Sequence, residues 1–217
     1  MKEFNLVSPR HEVEIHLPDG RVIAGPRGSM VGDFLSVIDH DSQLVGAVVN
    51  GNLRELTFPV EMDSRVIPVT MSTPDGTRIY RRSLTFLLEM VFADMYPLAT
   101  LFIDHSVATG GFYCEVKGRE PLSISELGVL KVLMQKFVKD DLPFARKEVP
   151  LKEAMDYFLA RGEEDKVQLL KYRKKAYLTL YSLNERMDYH HGYMVPSTGY
   201  LRWFDLVPTG DGFTLLY

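Results

Sequence analysis

The sequence predicts an α+β protein built from two domains, and three observations carry that expectation. Short strand patterns and hairpin turns crowd the first seventy residues. A turn-rich joint, Ser72-Thr73-Pro74-Asp75-Gly76, follows. Beyond it the hydrophobic period lengthens to that of amphipathic helices interspersed with strands. The boundaries read from this change of texture are 1–72 and 73–217.

In the first part, Val13, Ile15 and Leu17 alternate with Glu14 and His16, the period of a half-buried strand. Pro18-Asp19-Gly20 turns the chain because proline presets φ and glycine accepts positive φ, and Arg21 to Ala24 returns as the hairpin partner. Ser29 is placed to cap a short helix with Val31, Phe34, Leu35 and Ile38 on one face. Leu44 to Val49 reads as a strand, Asn50-Gly51 as a hairpin turn, and Asn52 to Leu56 as its partner. Val66 to Val69 supplies a closing strand. Two hairpins, one helix and a closing strand in so short a span describe a β-grasp, or ubiquitin-like, domain.

In the second part, Leu84, Leu87, Leu88, Val91, Phe92 and Met95 recur at helical spacing. Ser83 is the expected cap of that helix and Pro97 lies just past its end. Leu101-Phe102-Ile103 and Gly111 to Val116 read as strands. Ser123 and Glu126 form a capping box that opens a helix with Leu127, Leu130, Met134, Phe137 and Val138 inward. Asp141-Leu142-Pro143-Phe144 stops it. A further strand, two short helices near 151–160 and 163–171, and strands near 176–182 and 190–195 complete the expected elements.

Composition narrows the function classes. Hydrophobic residues make up 46% and charged residues 25%, ordinary globular usage that supports a packed core. A formal net charge of −4 argues against a dedicated nucleic-acid binder, whose affinity rests on phosphate contacts, while leaving room for a local basic patch. The single cysteine, Cys114, excludes an internal disulfide and a multi-cysteine zinc site. The opening Met1-Lys2-Glu3-Phe4 lacks a signal-peptide layout. The longest apolar stretch, Leu84 to Met95, is interrupted by Glu89 and Asp94 and falls short of the ~20 residues of a membrane span. A soluble, cytoplasmic chain with no membrane partner is expected.

Several strings carry a resemblance. Ile15-His16-Leu17-Pro18-Asp19-Gly20 with Val48-Val49-Asn50-Gly51, then Arg82-Ser83, Gly111-Phe112-Tyr113, Asp141-Leu142-Pro143-Phe144, Glu153-Ala154 and Val195-Pro196-Ser197-Thr198-Gly199 stand in one order along the chain. Together they resemble the N-terminal half of threonyl-tRNA synthetases, from about His11 onward. The resemblance implies a β-grasp TGS domain followed by an α/β editing domain. The family's editing chemistry resides in H-x-x-x-H on a helix and C-x-x-x-H near the C-terminal end. The corresponding positions here are Arg82 and Phe86, then His190 and Met194. Arginine and phenylalanine cannot ligate a cation and a thioether is a poor zinc ligand, so no metal and no synthetase-like editing are expected.

A second resemblance is to bacterial uridine-kinase-like nucleoside kinases, which carry the same degenerate front before a C-terminal P-loop kinase domain. It rests on Arg82 to Glu89, Asp104-His105-Ser106, Tyr113-Cys114-Glu115 and Gly192 to Leu201. The chain has no G-x-x-x-x-G-K-[ST] loop; Gly28 and Gly32 are the nearest glycine pair, with neither the spacing nor the lysine. The resemblance therefore implies a non-catalytic, accessory or regulatory N-terminal module of a kinase of the phosphoribulokinase/uridine kinase type. Its kinase domain would be the partner, with ATP and Mg bound only there and no cofactor in this chain. The alternatives are an RNA-binding module and a metal-independent aminoacyl-tRNA deacylase.

The candidate ligand cleft comprises Arg82, Phe86, His105, Tyr113, Cys114, Asp188, Tyr189, His190 and Met194. His105, Cys114, His190 and His191 lack metal-site spacing, and ordinary burial and hydrogen bonding account for them. No base is tied by sequence to Cys114 as a nucleophile. Arg82, placed at a helix start, opposes the helix dipole and calls for a partner: an anionic small ligand, or a salt bridge to Asp188. Phe86, Tyr113, Tyr189 and Tyr193 suit base stacking or core filling equally. Lys171, Arg173, Lys174 and Lys175 are the one dense basic cluster, a solvated surface or a contact for RNA or an acidic partner.

Overall fold

A computed structural model describes residues 8–38, 43–107 and 110–217. Residue contacts divide the chain into Met1–Tyr80 and Arg81–Tyr217.

The first unit holds five strands, β1 (Glu12–His16), β2 (Val22–Pro26), β3 (Leu44–Val49), β4 (Asn52–Arg54) and β5 (Ser64–Thr70), and the helix α1 (Val31–Leu35). The sheet order is β2-β1-β5-β3-β4, with β1 and β5 parallel at its centre and each flanked by its own antiparallel neighbour. This is the β-grasp arrangement that the two hairpins predict. Asn50 (φ 49°) and Gly51 (φ 81°) both occupy the left-handed region that the tight β3–β4 turn demands. Ile15, Val31, Leu35, Val45, Ala47 and Val66 are fully buried and form the core. Two details depart from the sequence pattern. β4 ends at Arg54 rather than Leu56. The residue before α1 is Met30, whose backbone N–H donates to the Asp33 carboxylate at 3.1 Å, so Asp33 closes the first turn in place of Ser29.

A long helix, α2 (Pro74–Met95), contains the division between the units. It starts well before the position expected from Ser83. Thr73 caps it, its hydroxyl accepting the Gly76 N–H at 3.1 Å and donating to Thr70 O at 2.8 Å, and Pro74 takes the first helical position. The Pro-Asp-Gly string, expected as a loop, is thus the first helical turn. Ser83 lies buried within the helix and caps nothing.

In the second unit the order continues with β6 (Thr100–Ser106), β7 (Phe112–Lys117), α3 (Ile124–Asp140), β8 (Ala145–Pro150), α4 (Leu151–Ala160), α5 (Glu164–Leu170), β9 (Tyr177–Leu183), β10 (Arg186–Asp188), a short 3-10 turn (Thr198–Tyr200), β11 (Asp205–Thr209) and β12 (Gly212–Leu216). Two antiparallel sheets result, β11-β12-β7-β6 and β10-β9-β8. The capping box of α3 is present: Glu126 N–H to Ser123 Oγ at 3.3 Å and Ser123 N–H to Glu126 Oε2 at 2.9 Å. Asp141 ends the helix in the left-handed region (φ 50°). Residues 190–195, expected as a strand, are irregular; the strand lies earlier, at β10. The β11–β12 hairpin is not anticipated by the sequence pattern. Val149, Ala154, Phe158, Val167, Leu170, Leu178 and Leu180 form a buried cluster between α4, α5 and the β8–β9 pair, with Met187 and Tyr189 packed against it.

Candidate functional site

Arg82, Phe86 and Glu89 follow each other at i, i+4 and i+7 and so share one stripe of α2. The segment after β10 runs against the same helix. The Val195 N–H donates to Ser83 Oγ at 2.9 Å, and Arg82 Nη1 donates to the Tyr193 carbonyl at 2.5 Å. Gly192 sits at φ 101°, and a Cβ there would lie 2.9–3.1 Å from Nη2, Cζ and Nη1 of Arg82. The guanidinium therefore lies face-on against a backbone that only glycine leaves open. The Phe86 ring stands 5.0 Å from the His190 ring and 6.0 Å from Phe144.

These attachments gather Glu89, Asp188 and His190, whose carboxylate oxygens and ring nitrogen all lie within 4.8 Å of one another, each residue partly buried. Lys166 of α5 completes the group. Its Nζ donates to both Asp188 oxygens at 2.7 Å and pairs with Glu163 Oε2 at 2.7 Å. Lys166 is thus a cation on Asp188, and Arg82 bonds the Tyr193 carbonyl. Arg82 itself lies inside α2 rather than at its start, so the dipole cost expected for it does not arise.

The electrostatics follow from this crowding. Burial pushes the Glu89 carboxyl up to about 7, and the Asp188 charge adds to the effect while Lys166 opposes it. Burial also pushes the His190 imidazole down to about 4, against the pull of Asp188 and with help from Lys166 and Arg82. His190 is therefore neutral at pH 7, and its buried Nε2 meets no hydrogen-bond partner among the described residues. Burial depresses Lys166, but Asp188 and Glu163 outweigh it and the ammonium ends above its usual value. Near neutral pH the group holds a fixed cation, a satisfied carboxylate, a neutral imidazole and a carboxyl close to half ionised. Such a carboxyl is suited to exchange protons. A divalent ion would find three ligand-type side chains here, but it would have to displace an ammonium from Asp188 and a proton from Glu89.

The remaining sequence candidates fall in different places. Met194 is buried beside the Tyr193–Val195 attachments and is 1% exposed. Cys114 is fully buried in β7; burial, and to a lesser degree the charge of Glu89, push its thiol up to about 12, which leaves no thiolate for nucleophilic work. His105 is exposed, bonded to Asp104 at 2.9 Å and stacked 5.6 Å from Tyr113. Tyr189 packs 4.7 Å from His191 and accepts a 3.3 Å bond from Arg173, which joins the basic cluster to the strand end that carries Asp188 and His190. Glu89 and Lys166 were not among the sequence candidates. Glu89 had a signal, an acid that interrupts the apolar stretch Leu84 to Met95 one turn beyond Phe86. Lys166, on a short helix with an unrelated spacing, had none.

No protein-family model matches the chain. Similar curated proteins are threonine–tRNA ligases. That of Geobacter sp. (strain M21) is 28% identical over 198 residues, 90% of this chain and 31% of the relative. Threonine–tRNA ligase 2 of Bacillus subtilis (strain 168) is 29% identical over 197 residues, 89% of this chain and 31% of the relative. The enzyme of Thermotoga maritima is 27% identical over 205 residues, 93% of this chain and 31% of the relative. The chain is similar to one part of the threonine–tRNA ligases. It spans about a third of the length of these relatives. The similarity supports the synthetase side of the resemblance and lends nothing to the nucleoside-kinase side. Among the described residues no helix is long and apolar enough to cross a membrane.

Proposed function

We propose that the chain is a tRNA-directed module that hydrolyses the ester of an aminoacyl-tRNA without a metal, at Glu89, Asp188, His190 and Lys166. The observation that carries this reading is the convergence of Glu89, Asp188 and His190 within 4.8 Å, with Lys166 on Asp188. The relatives' name, threonine–tRNA ligase, supplies the link to tRNA. Glu89 accepts a proton from water as the water oxygen bonds to the ester carbonyl carbon and the carbonyl π pair moves onto its oxygen. The Lys166 ammonium, its three hydrogens held by Asp188 and Glu163, fixes the Asp188 carboxylate beside Glu89 and His190. The carbon–oxygen ester bond then breaks, and the proton held by Glu89 passes to the departing ribose oxygen. Neutral His190 offers its unpartnered nitrogen to orient the water or the amino acid.

The test is release of amino acid from a panel of aminoacyl-tRNAs by the purified chain. Activity is expected to rise with pH through about 7 as Glu89 ionises, and to survive EDTA. Glu89→Gln should lower the rate by about a hundredfold or more, the usual contribution of a general base. His190→Ala should lower it as well. No turnover above the buffer rate on any member of the panel would remove the proposal.

A further inference from the structure

We propose that the loop from Lys171 to Lys175, with the rings of Tyr172 and Tyr177, is a docking surface for the single-stranded 3′ end of an RNA. It rests on the hydrolytic reading only for where that end leads, not for the binding itself.

Charge comes first. From Lys166 through Asn184 the sequence contains no acidic residue and five cations: Lys166, Lys171, Arg173, Lys174 and Lys175. A stretch of one sign in a chain of net charge −4 is a local field of the kind phosphates seek. Lys171, Lys174 and Lys175 are exposed. Arg173 has a different place: its Nε donates to Tyr177 O at 3.0 Å, its Nη1 to Tyr189 OH at 3.3 Å, and its guanidinium lies 5.6 Å over the Tyr189 ring. Arg173 thus anchors the loop, while the three lysines stay exposed, Lys171 Nζ also donating to Gln168 Oε1 at 3.0 Å.

The rings decide which polyanion fits. Tyr172 is 87% exposed, and Tyr177 is 43% exposed with Lys175 Nζ 5.7 Å from its centroid. Neither the core nor a fold requirement accounts for a tyrosine so exposed at the head of a cationic loop. Aromatic faces interleaved with lysines match the alternation of bases and phosphates along a single strand, whose bases are free to stack on protein rings. Duplex bases are stacked on one another and a lipid surface has none. The Arg173–Tyr189 bond also sets the loop beside the segment that carries Asp188 and His190, so a strand bound on the loop has its terminus next to the cluster.

The experiment measures binding of the full chain to a labelled single-stranded RNA of about eight nucleotides, a length within the footprint of known single-strand modules. A blunt RNA duplex and vesicles of anionic phospholipid serve as competing probes, and salt is varied. Expected are preference for the single strand and weakening with salt, with the log–log salt slope falling by about 0.7 for each of Lys171→Ala, Lys174→Ala and Lys175→Ala. Tyr172→Ala should weaken binding about tenfold while Tyr172→Phe keeps it. Equal affinity for the blunt duplex, unchanged binding by the Lys174→Glu, Lys175→Glu double variant, an unaltered Tyr172→Ala, or binding to vesicles with none to RNA would each overturn the proposal. If RNA binds as described and no ester is cleaved, the docking surface stands and the hydrolytic reading falls; if ester is cleaved without this binding, the hydrolytic reading stands and the docking surface falls.

Discussion

Glu89 occupies a position where the folded chain resists ionisation. Its carboxyl ordinarily titrates at 4.5 and in the fold at about 7. The unfolded chain therefore releases this proton first as pH rises, and stability that is complete below 4.5 is lost between 4.5 and 7. His190 has the opposite sign: its imidazole falls from 6.5 to about 4, so its contribution is present above 6.5 and lost as pH drops through that window. Glu89→Gln keeps the histidine contribution and deletes the carboxylate one. Its melting temperature should exceed the parent's by a margin that opens between pH 4.5 and 7; a margin independent of pH contradicts a carboxyl held protonated by burial. Lys166 is the complementary case. Replacing it with methionine leaves Asp188, whose side chain is 18% exposed, without its cation. Because the lysine itself is 40% exposed, solvent softens the loss, and a destabilisation of about 1–2 kcal/mol is expected by urea unfolding. Glutamine at position 166, which retains hydrogen bonding without charge, should recover part of it.

At the scale of elements, the start of α2 offers a sharp contrast between two helical glycines. A Cβ on Gly76 would lie 1.9 Å from the carbonyl oxygen of Thr70, whereas one on Gly128 in α3 would meet nothing within 4 Å. Gly76→Ala should cost about 2–3 kcal/mol because backbone must move to admit the methyl. Gly128→Ala should stabilise by about 0.5–1 kcal/mol by lowering the entropy of the unfolded chain. Denaturant melts of the two variants separate these outcomes. The same region shows what the sequence could and could not disclose. Period-2 alternation, the Asn50-Gly51 turn and the Ser123–Glu126 box are local codes, and each produced its element. Thr73-Pro74-Asp75-Gly76 carries both a turn signature and a helix-start signature, and the choice falls to Thr70, whose carbonyl accepts the Thr73 hydroxyl. The strand placed at 190–195 failed for a related reason. Its apolar residues, Met194 and Val195, are buried against α2 through isolated hydrogen bonds to Ser83 and Arg82, not through a ladder. For the candidate site, the helix stripe and the Asp188–His190 string were legible. The Lys166–Asp188 pair was not, because it depends on how α5 packs over β10, which no spacing encodes.

For the molecule as a whole, the gathering of the site depends on long-range closure. α2, α5 and the end of β10 each supply a member of the cluster, and none of them is adjacent to another in sequence. Resistance to chelators, expected from the Lys166 ammonium on Asp188, is accordingly a property of this assembled arrangement and not of any one motif. The position of β12 has a further consequence, in time rather than space. It lies between β11 and β7, pairing Phe213 with Cys114, so an interior strand of the four-stranded sheet is the last of its strands to be synthesised. Until it leaves the ribosome, β7 has an unfilled edge and the β6–β7 hairpin can present it to other chains, as exposed strand edges do. Folding of the second unit is thus held back until β12 has been made, and chaperone demand should concentrate on nascent chains stalled before Gly212.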